Sequence, residues 1–168
     1  MKNKLPAHLL SALVLLLVTT GFDYDEPFIS TEFDPILMDR QSLNESVFFQ
    51  TSRQVENPGK IYLYNHLILI NEKYEGVHII DNSNPAEPTN LGFISIPGCI
   101  DMAVQNGVLF ADNAVDLVAV DIINVPEITI RDREVNIFPE HTPPDLDYIP
   151  SEFSSRNRPE NTVIVGWK

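Results

Sequence analysis

Three aspartates in "ADNAVDLVAVD", Asp112, Asp116 and Asp121, are the first residues whose type and spacing invite chemistry. Carboxylates on one loop or on converging loops bind calcium, which takes six to eight oxygens. These three stand four and five residues apart and lack the D-x-D-x-D-G rhythm, so turn-capping is the stronger reading. His141 with Asp145 and Asp147 in "HTPPDLD" offers metal-ligand atoms, but two prolines intervene and no second histidine is near. Glu72 and Glu75 in "NEKYEG" could pair as general acid and base, as the two carboxylates of a glycosidase do. Lying in a hairpin loop around Lys73 and Tyr74, they read instead as solvated turn charges. Cys99, the single cysteine, has small and apolar neighbours in "SIPGCIDMAV" and reads as a buried small hydrophobe. His78, between Val77 and Ile79, reads as a hydrogen-bonded core or interface histidine, and His66 as a solvated turn residue. Tyr62, Tyr64, Tyr74, Phe93 and Trp167 could line a carbohydrate-binding face, although such rings more often pack between sheets. The G-x-S-x-G, H-E-x-x-H and G-x-x-x-x-G-K-[ST] motifs are all missing from the sequence. No residue is therefore assigned a catalytic, cofactor-binding or metal-binding role.

The elements that carry these residues are strands. "KIYLYNHLILINEKYEGVHIID" holds three short β-rich runs, Ile61–Tyr64, Leu67–Asn71 and Val77–Asp81, and a fourth follows at Leu91–Ile96. Runs this short, spaced at 8 to 12 residues, predict an all-β meander. The near-continuous apolar run "LILI" predicts strands covered on both faces. Shifting the chain by forty residues superposes Leu69 on Leu109, Val77 on Leu117, Ile80 on Val120, Asp81 on Asp121 and Asn84 on Asn124. The turn Asn65-His66 then falls on Gln105-Asn106, beside Gly107. A period of about 40 with four strands per unit is the signature of propeller blades. Asp81 and Asp121 each close a third strand, where a carboxylate can accept the N–H two residues on and form an Asx-turn. Asn84-Pro85 and Val125-Pro126 then stop the strand, because proline has no N–H to donate.

The ends of the chain read differently. Residues 1–21 carry Lys2 and Lys4, the apolar run Leu9–Val18 and then small residues, the order of a secretory signal peptide cleaved after Gly21. The run is shorter than the about 20 residues a spanning helix needs. Residues 22–58 are polar and acidic and read as a tether. Within it "PILMDRQSLNESV" has room for a short strand and helix, with Asp39 or Ser42 as N-cap and a Ser42–Glu45 capping box. The formal charge is −13 and grows more negative by two without residues 1–21. Such a surface repels phosphate backbones, so nucleic acid is a poor partner.

"LVAVD" and "VHIIDNSNPAEP" resemble the bacterial LVIVD repeat, a strand ending in aspartate before an "sNP..P" turn, and the resemblance covers Gly59 to about Pro139. It implies an exported β-propeller in the periplasm or at the cell surface. It implies no reaction and has no catalytic residues to carry over. Relatives often have a lipobox cysteine where this chain has Phe22, so a lipid anchor is not supported, and relatives are much longer. The expected organisation is a signal peptide at 1–21, a tether at 22–58, a first blade at 59–98 and a second at 99–139. A Pro- and charge-rich loop with the start of a further strand follows at 140–168, the strand being "VIVGWK". The expectation is thus all-β, a partial β-propeller of about two four-stranded blades plus a fragment. It reads as a truncated product first, or as a half-ring completed by self-association through open blade edges. The expected function is a non-catalytic binding or scaffolding module for an unidentified protein or carbohydrate, with no cofactor. The alternative is a fragment of a propeller enzyme whose active site needs further blades.

Overall fold

Two antiparallel meanders dominate the computed structural model, which describes residues 30–168. The signal-peptide reading of residues 1–21 and the first part of the tether lie outside the described residues. In the first meander, β3 (Pro58–Tyr64), β4 (Leu67–Glu72), β5 (Gly76–Asp81) and β6 (Thr89–Ser95) pair in chain order, and β2 (Phe48–Gln50) adds a fifth strand beside β6. In the second, β7 (Met102–Gln105), β8 (Val108–Asn113), β9 (Asp116–Asn124) and β10 (Glu127–Glu134) pair in chain order. The described residues form an all-β fold apart from one short α-helix. Among the described residues no helix is long and apolar enough to cross a membrane.

The turns are placed by local chemistry. Asn65 and Asn106 both sit at positive φ, 53° and 52°, in the two-residue connections β3–β4 and β7–β8, a conformation asparagine tolerates. Asp81 Oδ1 accepts the N–H of Ser83 at 2.8 Å and Asp121 Oδ1 that of Ile123 at 2.9 Å, so both third-strand aspartates form the Asx-turn. Strand β5 ends at Asp81, before Asn84-Pro85, and β9 at Asn124, before Val125-Pro126.

The strand registers correct the forty-residue overlay. The hairpin closed by Tyr64 and Leu67 corresponds to the one closed by Gln105 and Val108, a shift of forty-one residues. The shift returns to forty only in the third strands, where Asp81 matches Asp121. The missing residue lies in the connections: Lys73-Tyr74-Glu75 joins β4 to β5, whereas only Ala114-Val115 joins β8 to β9. Leu69 therefore corresponds to Phe110 and not to Leu109. A slip of one residue exchanges the two faces of a strand, so the correction changes which side chains are equivalent.

Directly paired residues of an antiparallel sheet share a face. One face of the first sheet carries Tyr62, Leu67, Leu69, Val77 and Ile79. It packs on the face of the second sheet that carries Met102, Val104, Leu109, Ala111, Val118 and Val120. Leu69, Val77, Ile79, Leu109, Val118 and Val120 are fully excluded from solvent in this core. At about 25 cal/mol per Å² of apolar surface removed from water, this stack is the main stabilising term of the fold.

From Thr31 onward the stretch read as a tether belongs to the packed structure. Residues Thr31–Lys168 form one compact unit. Strand β1 (Pro35–Asp39) pairs with β11 (Thr162–Trp167). Helix α1 (Arg40–Glu45) is capped by Asp39, whose carboxylate accepts the N–H of Ser42 at 2.9 Å. Ser42 is not the cap, and Glu45 accepts from the Gln41 side chain at 3.3 Å instead of closing a capping box. Leu43 is buried with Ala114, Val115, Val163 and Val165 in a second, smaller core. A few apolar residues scattered through a polar stretch anchor it, which average composition does not register. The 140–168 segment likewise folds back, through a 3₁₀ turn at Ser151–Phe153 and strand β11.

The expectation that strands are covered on both faces is met only in part. On the other face of the first sheet, Ile61 is 68% and Leu63 65% exposed, and Ile68, Ile70 and Ile80 are half-buried. Ile123 and Ile130 of the second sheet are exposed as well.

Candidate binding site

A cavity of about 700 Å³ lies on the outward face of the second sheet. Its lining includes Ala103, Phe110 and Leu117, one from each of the first three strands, together with Phe138 and His141 from the segment after β10. That segment is held in place by named bonds. Phe138 donates its N–H to the Val115 carbonyl at 3.0 Å. His141 Nε2 lies 2.7 Å from the Gly98 carbonyl, and Trp167 Nε1 donates to the His141 carbonyl at 2.9 Å. Glu140 accepts from Arg158 and from the Ile164 N–H at 3.3 Å. The lining is mainly apolar and also includes Asp101, Asp112, Glu140 and Asp147.

Each sequence candidate has a definite place around this cavity or away from it. Asp112 is buried, and its two oxygens take the N–H groups of Ile100 and Asp101 at 2.7 to 3.1 Å, fixing the bend that leads into β7. Burial pushes its carboxyl above the ordinary aspartate range, against those bonds and the nearby His141. Asp116 is fully buried and receives Arg40 at 3.0 Å, Arg133 at 2.8 Å and the Asn136 N–H at 2.9 Å. Its burial alone would raise the carboxyl, but these donors outweigh it and hold the group below its usual range. Asp121 accepts from Ile123 and from the exposed Arg131, which together lower it. The three aspartates thus serve three separate local structures. Asp145 leaves the metal reading as well, since it accepts from Thr31 Oγ1 at 2.6 Å and the Glu32 N–H at 3.0 Å. Among the described residues no three His, Cys, Asp or Glu side chains gather to hold a metal ion.

Glu72 overturns its reading as a solvated turn charge. It is 2% exposed and contacts His78 Nε2 at 2.9 Å, with His78 itself fully buried. Its oxygens also accept the N–H of Glu56 at 3.1 Å and that of Asn57. Burial alone would raise its carboxyl, yet these bonds win and the net shift is downward. The loop between β2 and β3, residues 51–57, is thereby strapped across the first sheet. Arg53 in the same loop lies 3.9 Å above the Phe93 ring, whose partner at 4.8 Å is His78. Glu75 remains exposed and pairs with Arg53. The sequence signal that could have found this network is the polar pair Glu72 and His78 flanking a turn between apolar strands.

Cys99 is fully buried in the main core, and burial raises its thiol well above the ordinary value. The aromatic residues do not share one face. Tyr62 and Tyr64 pack against the main core and Phe93 lies beneath Arg53. Tyr74 stacks near His141 at 5.6 Å, and Trp167 meets Phe153 edge-on at 5.7 Å. No family model, curated protein or solved structure matches the chain.

Proposed function

We propose that this chain is an exported, non-catalytic element of a β-propeller of the LVIVD-repeat type, acting as a binding or scaffolding module outside the cytoplasm. The export reading rests on Lys2, Lys4 and the apolar run Leu9–Val18. The blade reading is supported by the way the two meanders meet. Their first strands, β3 and β7, touch each other, and so do the far-side strands β2 and β10, as radially stacked blades require.

The observation that carries the binding reading is the cavity on the outward face of the second sheet. Its lining is mainly apolar, and Asp112 and Glu140 within it are already occupied by backbone and arginine donors. Concave apolar sites with a few polar groups are the usual form of a recognition site. Titration calorimetry of the full chain with a panel of neutral oligosaccharides and short apolar peptides tests this. The expected result is saturable one-site binding that Ala103→Trp, which fills the cavity, abolishes. Binding that ignores Ala103→Trp would remove the cavity from the account.

One observation favours an enzymatic alternative: Asp112, with its raised carboxyl, shares the cavity with His141. In that case Asp112→Asn would abolish turnover of a bound substrate while leaving its affinity within a few-fold.

A further inference from the structure

The register matches the open face of the first sheet to the partly roofed outward face of the second, and from this we infer that the outward face of the second sheet receives the open face of the first sheet of another copy of this chain. The inference rests on the binding reading of that face and names its partner.

Inside the molecule, one kind of face packs on another. The first sheet contributes Tyr62, Leu69, Val77 and Ile79, and the second contributes Met102, Val104, Leu109 and Val118. The corrected register says which residues of the two outer faces match these; Ala103, Ile61 and Leu63 among them are exposed, Phe110, Leu117 and Ile68 half-buried and Ala119 buried. On the outward face of the second sheet, Ala103, Phe110, Leu117 and Ala119 stand where the first sheet has Tyr62, Leu69, Val77 and Ile79. On the open face of the first sheet, Ile61, Leu63 and Ile68 stand where the second has Met102, Val104 and Leu109. The two sheets therefore leave one outer face of each kind, and the contact already made between them is the template for joining such faces.

The strap at residues 51–57 leaves the β3 side of the open face uncovered, where Ile61 and Leu63 are 68% and 65% exposed. The opposite face offers the cavity beside Ala103 and Phe110, of a size to take aliphatic side chains. Ile61 and Leu63 are an unusual pair to leave in water on an edge strand, where exposed apolar residues promote association. Because the two faces differ, the contact is head-to-tail, and such contacts build closed rings or open filaments and not two-fold dimers. The acidic charge of each copy opposes the contact, so added salt strengthens it by screening.

Sedimentation equilibrium on the full chain tests the inference with two variants, each altering exposed positions of one face. Ile61→Thr with Leu63→Thr strips the apolar groups from the first face while placing strand-compatible β-branched side chains there, and Ala103→Arg blocks the second. Far-UV circular dichroism and thermal unfolding confirm that each variant folds. Wild-type chain should associate in a concentration-dependent way, and each variant alone should associate on the order of 100-fold more weakly. An equimolar mixture of the two variants should form a 1:1 heterodimer and stop there, since one intact face remains on each partner. A wild-type chain that stays monomeric at all concentrations, a variant that associates as well as wild type, or a mixture that gives no heterodimer would overturn the inference. Retained small-ligand binding that Ala103→Trp abolishes, with a monomeric wild type, leaves the binding reading standing and removes only this partner.

Discussion

Asp116 and Asp121 both lie on strand β9 of the second sheet, yet they differ sharply in what they hold. Asp116 is fully buried and pairs with both Arg40 and Arg133, side chains from two distant parts of the chain. Removing one partner of a buried ion pair leaves uncompensated charge in a poor solvent for it. Asp116→Ala should therefore cost about 3 kcal/mol in urea unfolding, whereas Asp121→Ala, which loses an exposed pair and one turn bond, should cost about 1 kcal/mol. Equal costs would contradict the difference in burial. Acid sensitivity follows from the same residues. Glu72 is lowered from 4.5 and Asp116 from 3.8, so each contributes stability that is complete above those values and lost as pH falls through the folded-state value. Asp112 is raised and works in the opposite sense: its contribution declines as pH climbs from 3.8 towards its folded value. Thermal unfolding of Glu72→Gln should show a lower Tm at pH 7 and a shallower loss of Tm below pH about 4.5 than wild type. A parallel acid profile would mean that the Glu72–His78 pair contributes nothing. The turn aspartates and the core histidine were legible because their reasons are local. The burial of Glu72 was not, because the loop that covers it comes from Glu56 and Asn57, fifteen residues and more away along the chain.

Among the elements, the β4–β5 connection decides the geometry of the first sheet. Gly76 has a φ of +146°, and a Cβ there would lie 2.0 Å from the Ile94 carbonyl oxygen, a backbone atom that cannot swing aside. Gly76→Ala should destabilise the chain by on the order of 3 kcal/mol, through strain at positive φ and the forced shift of β6. Chemical denaturation checks this, and a change under 1 kcal/mol would show that β6 moves away freely. The existence of the eight meander strands could be read from short apolar runs and their turn residues. Their equivalence could not, because a one-residue difference between Lys73-Tyr74-Glu75 and Ala114-Val115 is invisible when leucine falls on leucine at the wrong shift. Strand β1 and helix α1, with Asp39 as a cap, were readable in "PILMDRQSLNESV", whereas strand β2 and the partners of all three were not. Each is held by a partner far away in sequence: β1 by β11, Leu43 by Val163 and Val165, β2 by β6.

At the scale of the whole molecule, two stacked sheets leave two unlike faces, one flat and aliphatic and one partly roofed by the segment around Phe138 and His141. The roof and its cavity exist only because a Pro-rich stretch folds back onto β7–β9, a long-range event that composition does not encode. The central claim is the assignment of faces, and thiol labelling tests it most directly. Single-cysteine probes at Leu63, Leu69, Leu109 and Phe110 are compared at low protein concentration, with native Cys99 silent because it is fully buried. Leu63→Cys and Phe110→Cys should label rapidly, and Leu69→Cys and Leu109→Cys only on unfolding. Rapid labelling of Leu109→Cys together with protection of Phe110→Cys would contradict the assignment.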